Sequence, residues 1–172
     1  MLRGLVLAML IAAPGAAQAQ APAPAPAPAS PLAPLAQWVG GKWVGTLDAG
    51  NGRKLTLMRS YEWSFDKRLL IGKSFGELEG KRFQTRETVY YWNGAAKRIE
   101  FTDFIDQGGF GAGFIETRDG ELYMEAKIVG NDKHAPWRAW IKQDAENQVI
   151  RIETERDGKW ADFGTYAYKR MP

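Results

Sequence analysis

Arg53-Lys54-Leu55-Thr56-Leu57-Met58-Arg59-Ser60-Tyr61-Glu62-Trp63-Ser64-Phe65 alternates with a period of two. Successive side chains of a strand point to opposite faces, so Leu55, Leu57, Tyr61, Trp63 and Phe65 fall together, against Lys54, Thr56, Ser60, Glu62 and Ser64. One face is apolar and the other polar, as in an antiparallel sheet with one side in a core. Arg59 breaks the rule, because it shares the apolar face. The same alternation sets Leu122, Met124, Ala126 and Ile128 against Tyr123, Glu125 and Lys127, and Ile150 and Ile152 against Arg151 and Glu153.

Outward from that stretch, turn signals recur to the C-terminus: Asn51-Gly52, Asp66-Lys67, Glu79-Gly80, Asn93-Gly94, Gln107-Gly108, Asp119-Gly120, Asn131-Asp132, Glu146-Asn147 and Asp157-Gly158. Asn-Gly and Asp-Gly supply the positive φ angles that two-residue hairpins require. The signals bound strands at 42–48, 53–65, 68–78, 82–92, 97–105, 109–117, 121–129, 135–143, 148–156 and 159–169. Connections this short make neighbours antiparallel, and so many strands close rather than leave apolar edges. The expectation is all-β: an up-and-down antiparallel β-barrel of about 8–10 strands, preceded by a short helical turn.

Ahead of the strands the composition changes twice. Arg3, an apolar Leu5–Ala13 stretch broken by Pro14, and Ala17-Gln18-Ala19 read as a secretory signal peptide over 1–19. Its core is about half the roughly 20 residues of a membrane span. Residues 20–35 form a Pro/Ala-rich linker, with six of the nine prolines between Gln20 and Pro34. Such alternation favours an extended spacer. Residues 36–172 form the barrel domain, and Leu32, Leu35 and Trp38 have the spacing of one helical turn plugging it. The expected location is periplasmic or secreted, with no transmembrane segment after signal removal. There is no cysteine, which rules out a disulfide framework and a lipid-anchored lipoprotein. Formal net charge is +3, with both signs interspersed and no Lys/Arg run beyond two, so nucleic acid is not an expected partner.

Gly41-Lys42-Trp43-Val44-Gly45 resembles the Gly-x-Trp opening of calycin barrels, the lipocalins and their relatives. The resemblance implies that Trp43 closes the barrel floor and packs beneath a basic residue from the last strand, for which Arg170 is placed. Thr102-Asp103-Phe104 is similar to the Thr-Asp-Tyr element of lipocalins but lies earlier in the chain than that family places it. In architecture the resemblance spans Leu35 to Arg170, and the chain as a whole looks like uncharacterised lipocalin-like proteins exported by bacteria. A barrel fold does not choose a function.

Charges in phase with apolar residues are the candidate site. Arg59 lies between Leu57 and Tyr61, Glu87 shares a phase with Thr85, Val89 and Tyr91, and Asp103 with Phe101 and Ile105. A buried ion without a partner costs several kcal/mol, so these three either satisfy one another or meet a polar ligand, unless a bulge or a wet rim exposes Arg59. Gly108, Gly109, Gly111 and Gly113 punctuate Phe110, Ala112 and Phe114, marking either a bent corner or room for a ligand against the aromatics. Trp137 should point inward and Trp140 outward.

No catalytic residues and no metal ligands are identified. His134 is the only histidine, too few for a zinc site, and no nucleophile elbow accompanies it. The expected function is binding of a small, largely apolar or acidic amphiphilic molecule, with no catalysis and no cofactor. Arg59, Tyr61, Trp63, Glu87, Phe101, Asp103, Phe110 and Phe114 would contact it. The alternative is a solid-cored interaction module for an envelope protein partner, using Trp140. A haem-dependent enzyme through His134 ranks third.

Overall fold

Asp119 and Gly120 take φ of 50° and 82°, Asp157 and Gly158 take 51° and 73°, and Glu79 and Gly80 take 53° and 75°. These left-handed pairs close two-residue hairpins whose twist matches that of the strands they join. The computed structural model describes residues 30–106, 108–129 and 135–172. The expected signal peptide, the expected linker up to residue 29 and His134 lie outside the described residues.

Among the described residues, ten strands follow one short 3-10 helix, Ala33–Trp38. They are β1 (Lys42–Asp48), β2 (Lys54–Ser64), β3 (Leu69–Leu78), β4 (Lys81–Asn93) and β5 (Arg98–Ile105), then β6 (Phe110–Arg118), β7 (Glu121–Val129), β8 (Trp137–Gln143), β9 (Asn147–Arg156) and β10 (Lys159–Met171). Each pairs antiparallel with the next, and β10 returns to β1, closing an up-and-down barrel with no free edge. Every strand bound lies within two residues of its sequence expectation.

One end of the barrel is closed. Leu32, Leu35 and Trp38, three residues apart, share one side of the 3-10 turn and are all buried. The plug therefore draws on Leu32 and Leu35, ahead of the position where the composition changes. Trp43 is fully buried beside it, donating its indole N–H to the Trp38 carbonyl at 2.9 Å. Arg170 lies 4.6 Å over the Trp43 ring and also donates to the Gln37 carbonyl. This is the arrangement that the Gly-x-Trp resemblance implied for Trp43 and Arg170.

Two strands carry the opposite phase from the sequence expectation. In β4 the inward residues are Arg86, Thr88 and Tyr90, not Glu87, Val89 and Tyr91, while Thr85 falls at a break in the register. Val89 and Tyr91 made the wrong face look apolar, since β4 has aromatic residues on both sides. A register shift between Ser74 and Phe75 leaves Arg86 opposite Ser74 and Gln84 opposite Phe75. In β6 the glycines face inward and the phenylalanines outward. Gly113 stands opposite Phe101, and a Cβ there would come within 2.8 Å of the Phe101 ring and 2.0 Å of the Glu125 carbonyl. Absence of a side chain at Gly113 is what lets the Phe101 ring fill the barrel.

Candidate functional site

β2, β4 and β5 bring three charged side chains to one internal cavity, because Arg59, Arg86 and Asp103 all fall on inward phases. Arg59 stands opposite Ser74 on β3, and Ser74 in turn opposite Arg86 on β4. Thr88 stands opposite Asp103. The Thr88 hydroxyl donates to Asp103 Oδ1 at 2.6 Å, and Arg86 Nη1 lies 3.2 Å from Asp103 Oδ2. That ion pair is not hydrogen-bonded in good geometry, and Oδ2 has no hydrogen-bond partner.

The wall around these charges is aromatic. Trp38, Tyr61, Tyr90, Phe101 and Trp137 form a chain with ring centroids 5.1 Å (Trp38–Tyr61), 5.3 Å (Trp38–Tyr90), 5.9 Å (Tyr90–Phe101) and 5.7 Å (Phe101–Trp137) apart. These separations are those of favourable tilted and edge-on pairs. Gly72 makes room for it, since a Cβ there would stand 3.0 Å from the Tyr61 ring and 3.3 Å from that of Tyr90. Met124, Ala139, Ile141, Ile150 and Ile152 complete the lining.

The cavity itself is small, about 40 Å³. A single water needs roughly 10–15 Å³ on this measure, so a few waters or one small polar group would fill it. Arg86 and Ile152 line more than this cavity. Two wider recesses share those residues: one of about 180 Å³ with Arg59, Ser74, Phe163 and Tyr168, and one of about 330 Å³ with Ile105, Ile128, Trp137 and Phe163. The larger one lies near the lower end of the roughly 300–1,000 Å³ typical of small-molecule sites.

Burial works against the charge on Arg59 and is the largest single influence. The neighbouring Tyr168, Tyr61 and Tyr90, with a hydrogen bond to Tyr61, outweigh it and hold the guanidinium above its ordinary pKa. Its carbon lies 4.8 Å over the Tyr168 ring. No carboxylate pairs with Arg59 among the described residues, whereas Arg86 has Asp103. Burial pushes Asp103 above its ordinary value, against Arg86, Thr88 and Arg59, which favour its ionised form. Burial likewise raises Tyr61 and Tyr90, so both are neutral phenols at neutral pH.

Of the residues expected from sequence, Arg59, Tyr61, Phe101 and Asp103 line the cavity. Trp63 is inward but pairs with Leu70 nearer the closed end, packed on the core rather than at the cavity. Glu87, Phe110 and Phe114 are on the outer face. Glu87 stands opposite Lys73 and Phe104 and accepts from Gln84 Nε2 at 3.4 Å. Phe110 is 38 % exposed beside Phe104, and Phe114 carries Arg98 over its ring at 4.6 Å. Trp137 lines the cavity, and Trp140 is outside, as their alternation implied.

Sequence reasoning missed Arg86, Thr88 and Tyr90. Their own period of two was the available signal, masked by the aromatics on the other face of β4. Among the described residues there is no group of three or more His, Cys, Asp or Glu able to hold a metal, and no helix long and apolar enough to cross a membrane.

No protein-family model matches this chain, and no curated protein shows significant similarity to it.

Proposed function

We propose that the protein is an exported binding protein for a small acidic amphiphile, held with its head at Arg59 and Arg86 and its apolar body in the wider recesses beside them. The observation that carries this reading is Arg59, a charged guanidinium inside an aromatic-lined barrel, with no carboxylate paired to it among the described residues. Two arginines against one aspartate leave the interior cationic, which suits an anionic group desolvated beside them. The 40 Å³ cavity is too small for an acyl chain, so the apolar body belongs in the outer recesses among Ile105, Ile128, Ile152 and Phe163. Export rests on the signal-like residues 1–19, and membership of the calycins is supported by Trp43 under Arg170 at the closed end. Lipocalin barrels have eight strands and this one has ten.

The rival interaction module finds less support, because Trp140 is already covered by Arg138 and Arg151 at 5.1 and 4.0 Å from its ring. The test is titration with dodecanoic acid and dodecanol, after native mass spectrometry of protein purified from its own envelope. Losing a hydrogen-bonded charge partner typically removes about 1.5–3 kcal/mol, so Arg59→Leu should weaken the acid by roughly 10–100-fold and the alcohol little. Equal weakening of both, or binding of neither by the wild type, overturns the reading.

A further inference from the structure

The described residues leave six buried side-chain polar atoms without a hydrogen bond, and four of them belong to residues lining the cavity or the larger recess beside it. They are Trp38 Nε1, Asp103 Oδ2, Trp137 Nε1 and Thr154 Oγ1. Most buried polar groups are satisfied in folded proteins, and each left unmade carries a penalty of about 1–3 kcal/mol. Clustering of such atoms around one cavity therefore describes what the cavity lacks.

The missing chemistry has both signs. The two indoles and the Arg59 guanidinium are donors only and call for acceptors. Asp103 Oδ2 is an acceptor. Its carboxylate is 2 % exposed, the Thr88 hydroxyl is spent on Oδ1, and Arg86 at 3.2 Å is not aligned to donate. A bare carboxylate head offers acceptors alone, so it would satisfy Arg59 while placing a second anion near Asp103 with no hydrogen between them. A hydroxyl is donor and acceptor at once. Gly111, opposite Asp103, adds no side chain to the space beside it.

Resting on the reading of the barrel as an acid-binding protein, we infer that its ligand is a hydroxylated acidic amphiphile. The acid group accepts from Arg59, and a hydroxyl close to it donates to Asp103 Oδ2 while its oxygen faces the Trp137 N–H. Asp103 is then a specificity-determining residue that selects hydroxy acids from plain ones.

The experiment is calorimetric titration of the wild-type protein with dodecanoic acid, its α- and β-hydroxy derivatives, and the O-methyl ethers of both. A hydrogen bond to a charged group is worth about 1.5–3 kcal/mol, so one hydroxy isomer should bind roughly 10–100-fold more tightly than the plain acid. Its methyl ether, which accepts but cannot donate, should lose that advantage. Asp103→Asn should reduce the preference at least about fivefold; the ether series decides the matter without it if the variant does not fold. Equal affinity for plain and hydroxylated acids, or an ether as good as its parent, overturns the inference and leaves the acid-binding reading standing. Binding of no acid at all overturns both.

Discussion

Arg170 and Arg59 rest on aromatic rings at nearly the same distance, 4.6 Å over Trp43 and 4.8 Å over Tyr168. Their surroundings differ. At the closed end, Arg170 also donates to the Gln37 carbonyl and its backbone N–H to the Glu146 carbonyl, while Trp43 donates to Trp38. Strand ends, plug and loop are tied together there, although among the described residues Arg170 Nε, Trp38 Nε1 and Gln148 Oε1 have no hydrogen-bond partner. One strand across from Trp43, Arg59 has aromatic company but, among the described residues, no carboxylate paired with it, while the nearby aspartate meets Arg86 on the one oxygen that has no hydrogen bond. The same stacked pair closes a barrel in one place and leaves a charge available in the other. What separates structure from function is the hydrogen-bond accounting around the pair, not the pair itself.

The comparison breaks most easily at Trp43. Truncating a fully buried tryptophan that also loses a buried hydrogen bond should lower stability by about 3–5 kcal/mol, read from urea denaturation midpoints. A loss below about 1 kcal/mol would mean the closed end is not the structural half.

Asp103 sharpens the other half through pH. Its carboxyl is raised above the ordinary 3.8, chiefly by burial, over the opposing effects of Arg86 and Thr88. A carboxyl with a higher pKa in the folded chain stabilises the fold while protonated. That contribution is full below 3.8 and is lost as pH rises through the folded value. Asp103→Asn is neutral throughout, so its stability relative to wild type should improve as pH rises from 3.8 towards neutrality. A difference that is flat, or that moves the other way, would show Asp103 to be fully compensated by Arg86.

The smallest effect belongs to the outer arginines. Arg151 is 51 % exposed, 3.4 Å from Glu153 and over Trp140, and Arg138 covers the same ring and carboxylate. Exposed pairs contribute little, so Arg151→Ala should cost less than about 1 kcal/mol in the same denaturation experiment and leave acid binding unchanged.

Alternation and turn chemistry determined the barrel from the sequence alone. Asp-Gly and Asn-Gly select hairpins whatever surrounds them, and a strand with one polar face has only one way to bury the other. Arg59 and Asp103 were legible for the same reason, as charges in step with Tyr61 and Phe101. Which face of β4 and β6 points inward was decided only by the tertiary structure. β4 carries aromatics on both sides, so Arg86, Thr88 and Tyr90 were set by the register shift against β3. In β6 the hydrophobic pattern runs backwards: Phe110 and Phe114 lie outside because Gly113 must accommodate the Phe101 ring contributed by its neighbour. Local periodicity carries no information about volume donated from another strand, and inside a crowded barrel that volume settles which residues meet at the cavity.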